Sequence, residues 1–214
     1  MPSKPYDRLS PRNHSGDRVS HAINDEALDR IFREARTQNK WHDKPVSAAL
    51  LMAVYDLMRW GPTSANVSPA RFLFLMSKEA KERLKPHLLA ANVEKVMTSG
   101  ATAIIGYDLD FPEHIPRLFP HNPGAKDWLQ DPKLRETTAF RNGTLQGAYF
   151  IVAARALGLD CGPMSGFNND AVDREFFSGT NIKSNFLCAV GYGDPSGVFG
   201  RSPRLSFDEA CKIL

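Results

Sequence analysis

The residues best equipped for chemistry sit in turns. Residues 61–72 read GPTSANVSPARF, where Thr63, Ser64, Asn66 and Ser68 stand between Pro62 and Pro69. A connection needs only to reverse the chain, so the additional hydroxyls and the amide, held by two prolines, suggest a preorganised hydrogen-bonding surface. An ordinary capped turn uses the same residue types for local reasons. A second Gly/Pro turn, LDCGPMSGFN, covers residues 159–168. Arginines mark both ends of the chain, Arg36 in EARTQNKW and Arg201 and Arg204 in GRSPRLSFDEA.

Several common chemistries have no motif behind them. The chain carries no H-E-x-x-H, G-x-S-x-G or Walker string, which removes zinc hydrolysis, serine-esterase and P-loop readings. GYGDPSG at 191–197 follows a strand-like run but leads into VFGRSPRL rather than a helix, so it is not a dinucleotide-binding glycine fingerprint. Cys161, Cys188 and Cys211 are odd in number and lack C-x-x-C spacing, which fits buried, reduced thiols in a cytosolic protein rather than a zinc site or a disulfide framework. His14 and His21 lie in the N-terminal arm, and His42, His87, His114 and His121 in or beside loops, where each reads as a solvated side chain.

These turns need elements to hold them. Residues 1–23 have few large apolar side chains and read as a flexible arm; residues 24–214 read as one domain. Asn24 caps an expected helix, NDEALDRIFREAR, with Leu28, Ile31, Phe32 and Ala35 on one face. A second helix begins at Ser47, turns Leu50, Leu51, Val54, Leu57 and Met58 inward, and stops at Gly61. RFLFLM (71–76) and TAIIGYDL (102–109) read as strands, with the helices SKEAKERL and NVEKVMTS between them, separated around Pro86. Residues 111–132 contain five prolines and several aromatics, which excludes a regular element of that length and describes a Pro-rich excursion, either a lid or a self-packed surface loop. A long helix over 133–157 follows, whose Gly143, Gly147, Ala148, Ala153 and Ala154 leave room for another helix. The short helix DAVDREFF and the strand NFLCAVGYG complete an α+β order with too few βαβ units to be doubly wound.

Composition agrees with a globular enzyme-sized domain. At 214 residues the chain is long enough to bury about 70% of its unfolded surface. Its 27 Lys+Arg against 24 Asp+Glu give a net charge of only +3, too mild to argue for nucleic acid. No apolar run approaches the ~18 residues of a membrane span, and the start carries no secretory signal pattern, so the expected location is the cytoplasm.

Taken jointly and in order, the turns resemble the FMN-dependent nitroreductase family. EARTQNKW is similar to its Arg-x-Ser-x-Arg/Lys opening, GPTSANVSPARF to its Pro-Ser-Ser-x-Asn-x-Gln-Pro turn, NVEK at 92–95 to its Asn-x-x-Lys pair, and LGLDCGPMSGF to its Leu-Gly-x-x-x-x-Pro-x-x-Gly-Phe segment. The arginine-bearing tail fits as well. Within the family, EARTQNKW, GPTSANVSPARF and IIGYD look most like the malonic semialdehyde reductase branch of pyrimidine breakdown. The resemblance implies a nitroreductase-like fold: a central, mainly antiparallel sheet flanked by helices, in a domain-swapped type of homodimer.

It also implies a cofactor site for FMN. Arg36, Arg201 and Arg204 are the phosphate candidates, since guanidinium pairs phosphate oxygens bidentately. Thr37 and Gln38 follow Arg36, with Gln38 where the family usually has Ser. Pro62, Thr63, Ser64 and Asn66 offer hydroxyls and an amide to the ribityl chain and ring edge in the partner subunit's site. Asn92 would bond the pyrimidine edge, and Lys95 would favour the reduced flavin. Pro163, Met164, Ser165 and Gly166 run past flavin N5, with Ser165 where some members have Glu. Phe111, Phe119 and Trp128 form the expected wall of the acceptor pocket. The implied reaction is ping-pong hydride transfer from NADH or NADPH through flavin N5 to a small electrophile, with no protein nucleophile and no metal. Alternatives are reduction of nitroaromatics, quinones or enones on the same scaffold, and a non-enzymatic flavin-binding protein.

Overall fold

The computed structural model describes residues 22–214. Its frame is a four-stranded antiparallel sheet in the order β1-β2-β4-β3, built from β1 (Ala70–Leu75), β2 (Ala101–Asp108), β3 (Asp160–Met164) and β4 (Ile182–Gly191). Every residue of β2 is buried, because helices cover both faces of the sheet. Alternation along the strand still sorts its side chains. Ala101, Ala103 and Ile105 join one core with Val54, Met58 and Phe150, whereas Ile104 joins another with Leu84, Val96 and Val172. The first core lies under α2 (Ala48–Met58) and α6 (Pro132–Ala156), the second under α3 (Lys78–Leu84), α4 (Ala90–Thr98) and α7 (Asn169–Phe176).

The helices start where their caps dictate. The side chains of Ser47, Ser77, Asp131 and Asn168 accept the backbone N–H of Leu50, Ala80, Lys133 and Ala171, satisfying donors that have no partner within the helix. Asn24 likewise caps α1 (Asp25–Leu28), but that helix widens at once into a π-helical turn, Asp29–Arg33, and Phe32 is exposed rather than inward-facing. Gly61 follows α2 for a spatial reason: a Cβ there would lie 2.5 Å from the Tyr149 ring. The glycines of α6 also serve close approach, though to the sheet rather than to a helix. A Cβ on Gly147 would meet the Phe186 ring at 2.6 Å, and one on Gly143 the Tyr107 Cβ at 3.0 Å.

Two expectations about loops change. LDCGPMSGFN is not all turn, since its Asp160–Met164 forms β3, an edge strand on which Pro163 is tolerated because, apart from a single bridge at Cys161, only one side of the strand is paired. The Pro-rich excursion is irregular over its length yet consists of short helical turns at Phe111–His114, α5 (Ile115–Leu118) and Pro123–Leu129. Phe111, Ile115, Ala125 and Leu129 form a third core with Val67, Tyr107 and Ala139. Phe111 is therefore a core residue and not part of a pocket wall; Phe119 is half-buried and Trp128 is exposed. Cys161 and Cys188 are buried free thiols, whereas Cys211 is exposed. Most of the N-terminal arm, with His14 and His21, lies outside the described residues.

Candidate functional site

One polar patch assembles where β3 meets the segment after α1. Thr37 bridges to Cys161 in parallel, and the Gln38 N–H donates to the Cys161 carbonyl at 3.0 Å, laying EARTQNKW along the free edge of β3. Trp41 then donates its indole N–H to the Lys95 carbonyl at 2.9 Å, which pins α4 beside the same strand. Asn92, one turn earlier on α4, donates its amide to the Gly166 carbonyl at 3.0 Å. Gly162 lets these parts close up: a Cβ there would lie 2.5 Å from the Gln38 carbonyl oxygen and 3.0 Å from Lys95 Cδ. Arg36, Thr37, Gln38, Asn92, Lys95, Pro163, Met164, Ser165 and Gly166 thus belong to one contiguous surface.

The arginines divide. Arg36 donates to the Phe199 carbonyl, and Arg201 donates to the Arg33 carbonyl at 2.8 Å and to that of Ala35 at 3.4 Å, so the C-terminal tail is laced to the Arg36 segment. Among the described residues Arg204 bonds only the carbonyls of its neighbours Ser202 and Pro203, both at 3.1 Å, in the exposed tail.

Two groups in the patch lack protein partners. Gln38 is 8% exposed, and its Oε1 is a buried acceptor with no hydrogen-bond partner among the described residues. Such an orphan costs free energy unless a ligand or water satisfies it. Lys95 is equally buried, and its ammonium has neither a hydrogen-bond nor an ion-pair partner among the described residues. Burial pushes its pKa below the ordinary value, with the neighbouring Cys188 thiol acting in the opposite direction. An orphaned acceptor two residues from Arg36 and an unpaired cation across Gly162 from the same segment suit a ligand that is anionic and also rich in hydrogen-bonding groups.

The GPTSANVSPARF turn is elsewhere. Ser64, Ala65 and Asn66 form a single tight turn, and its hydrogen bonds run to α5 and α6: the Ser64 N–H to Asn142 Oδ1 at 2.9 Å and the Asn66 amide to the Leu118 carbonyl at 2.8 Å. Thr63 Oγ1 accepts from the Ser68 N–H at 3.2 Å. Among the described residues no hydrogen bond ties it to the patch on β3 and α4, and β1 and β3 are opposite edges of the sheet, so one chain presents two halves. The turn is rigid and strained, with left-handed φ at Ala65 (45°), Asn66 (51°) and Ser68 (42°). Ala65→Gly is expected to raise stability by about 0.5 kcal/mol, relief of the left-handed alanine being partly offset by the greater freedom of glycine in the unfolded chain. Urea midpoints at constant m-value measure this.

Asn142 and Gln146 are buried supports of the turn that the sequence pattern left unmarked. Both are buried, four apart on α6, and Gln146 Oε1 accepts the Ala70 N–H at 2.8 Å where the turn enters β1. The signal was available in NGTLQG, where each amide precedes a glycine that brings the helix against the sheet.

Comparison with known proteins points the same way. A family model described as the nitroreductase family matches residues 32–193. A Cupriavidus pinatubonensis protein named as an NADH dehydrogenase/NAD(P)H nitroreductase is 59% identical over 191 residues, covering 88% of this chain and 97% of its own. HadB of Ralstonia pickettii, named in the same way, is 57% identical over 190 residues, covering 87% and 97%. Among solved structures, a nitroreductase of Exiguobacterium sibiricum in complex with FMN shares the fold at a TM-score of 0.80 and 17% identity, over 91% of this chain and 99% of that one.

Proposed function

The chain belongs to the nitroreductase family, and from that premise we propose that it is an FMN-dependent NAD(P)H oxidoreductase whose acceptor is malonic semialdehyde, reduced to 3-hydroxypropionate. The observation that carries the reading is the edge of β3, where the Arg36 segment with the orphaned Gln38 acceptor and the side chain of the unpaired Lys95 meet at Gly162. Arg36 and Arg201, with Arg204 from the tail, would hold the phosphate. Thr37, Gln38 and Asn92 would bond the polar edge of the cofactor, Lys95 would offset negative charge on it, and the backbone from Pro163 through Met164 and Ser165 to Gly166 would run past its reactive edge. When bound, FMN supplies hydride transfer between NAD(P)H and the acceptor. The chain's own part is to bind, orient and exclude water, and no nucleophile is required of it.

The second half of the site would come from the turn of a second copy, with Pro62, Thr63, Ser64 and Asn66 facing the first copy's patch. A homodimer with an exchanged C-terminal tail accounts for the exposed apolar side chains of Phe199, Leu205, Phe207, Ile213 and Leu214, and for those of Met52, Trp60, Phe140 and Leu145 on α2, α6 and the turn after α2. Such an interface should bury more than ~2,000 Å² and be largely apolar. Sedimentation is expected to give a single dimeric species carrying flavin; a stable flavin-loaded monomer would contradict it.

The names of the relatives favour a second acceptor class, nitroaromatic compounds, on the same site. Steady-state NADH and NADPH oxidation with malonic semialdehyde against nitrofurazone separates the two, the first acceptor being expected to show the larger kcat/KM. Failure of NAD(P)H to bleach bound flavin anaerobically would instead indicate a flavin-binding protein without this activity.

A further inference from the structure

A cleft of about 750 Å³ opens beside the GPTSAN turn, a size suited to a small ligand. Arg59, Arg71, His114 and Arg117 line it, together with Trp60, and no carboxylate does. In a chain whose charges nearly balance, at 27 basic against 24 acidic, this is a local excess. Two of its arginines are committed. Arg71 pairs with Asp108 at 2.6 Å and donates to the Ser68 and Ala70 carbonyls, bracing the turn; Arg59 pairs with Asp56 at 3.6 Å and lies over the Trp60 ring. Arg117 and His114 have no hydrogen-bond or ion-pair partner among the described residues. The backbone beside Arg117 is tied to the turn, because the carbonyl of the next residue, Leu118, accepts the amide of Asn66, and the exposed Arg117 side chain extends from there along the cleft.

We propose that this cleft receives the carboxylate end of an anionic acceptor and that Arg117 is the residue that selects it. The inference deepens the reductase reading and rests on it for the fate of the acceptor's other end. A guanidinium binds a carboxylate through two parallel hydrogen bonds, and Arg117, unlike Arg59 and Arg71, has no carboxylate partner among the described residues to compete for it. His114, likewise without a partner among the described residues, offers a second donor, while Phe72 in the lining gives an apolar surface to a short carbon chain. The same cationic chemistry would also suit the 2′-phosphate of NADPH, so the test must tell the two anions apart.

The test uses the FMN-loaded protein and its Arg117→Gln variant. Calorimetric titration with malonate, a carboxylate that cannot be reduced, and with neutral malonamide reads binding alone. Steady-state kcat/KM for 4-nitrobenzoate over that for methyl 4-nitrobenzoate reads charge selection. Malonate affinity and this ratio are each expected to fall about five- to tenfold in the variant, as suits a charged hydrogen bond open to solvent, and Arg117→Lys should recover part of both. Equal malonate affinity in wild type and variant would overturn the inference. So would a variant in which the NADPH/NADH preference changes and the nitrobenzoate ratio does not, since the anion would then be the nucleotide phosphate. Arg117-dependent malonate binding in a protein that oxidises no NAD(P)H would uphold the cleft and remove the reductase reading. Turnover without charge selection would do the reverse.

Discussion

Arg36→Ala protein should purify folded but pale, with FMN bound about ten- to a hundredfold more weakly than in wild type. The estimate follows from losing one charge-assisted contact worth about 1.5–3 kcal/mol. Arg36 sits on the segment paired to β3, next to the orphaned Gln38 acceptor, so its charge bears on the patch itself. Its bond in the protein alone is to the Phe199 carbonyl of the tail, which is not part of a core, so folding should survive. Excess FMN should restore most of the activity. Arg204→Ala is the informative companion, because Arg204 reaches only its neighbours' carbonyls within one chain. If both variants keep wild-type flavin after dialysis, the phosphate lies elsewhere; if Arg204→Ala alone keeps it, the clamp is Arg36 with Arg201.

Lys95→Met is expected to leave flavin occupancy largely intact and to lower the midpoint potential of the bound flavin by about 30–60 mV, equivalent to about 1.4–2.8 kcal/mol for a two-electron couple. The reason is an ammonium on a largely buried side chain, without a hydrogen-bond or ion-pair partner among the described residues, which would favour the more negative, reduced state of a flavin held there. The same variant has a signature in the protein without cofactor. Burial holds the folded pKa of Lys95 below the ordinary lysine value, so between the two the unfolded chain binds more protons and stability rises with pH. Below that window the cost of burying the charge is fully present; above it the cost is gone. Lys95→Met should remove this part of the slope, while Lys81, shifted downward by burial in the same way, keeps its own. Unchanged potential and unchanged slope together would exclude Lys95 from the role.

Much of this was legible in local chemistry. Caps at Asn24, Ser47, Ser77 and Asn168 are short-range bonds, and the inward face of α2 is a matter of spacing. What local pattern could not show is contact across the chain. Thr37 meets Cys161 only because β3 is the free edge of a sheet, and β3 itself was hidden by a composition, Asp-Cys-Gly-Pro-Met, that belongs to turns unless a strand has one unpaired side. Phe111 read as part of a pocket wall because a Pro-rich segment serves as a lid as readily as a self-packed loop, whereas the helical turns there enclose a core of their own. Asn142 and Gln146 were masked by the glycines beside them, although a buried amide on a helix needs a partner as surely as a glycine implies a neighbour.

The separation of the polar turn from the β3 patch bears on inheritance. If each site combines the patch of one copy with the turn of another, then a chain damaged at Arg36 and a chain damaged at Asn66 carry lesions in different halves. Assembled together, they place both lesions in one site and leave the other whole. Two defective alleles would then complement each other, and two alleles damaged in the same half would not.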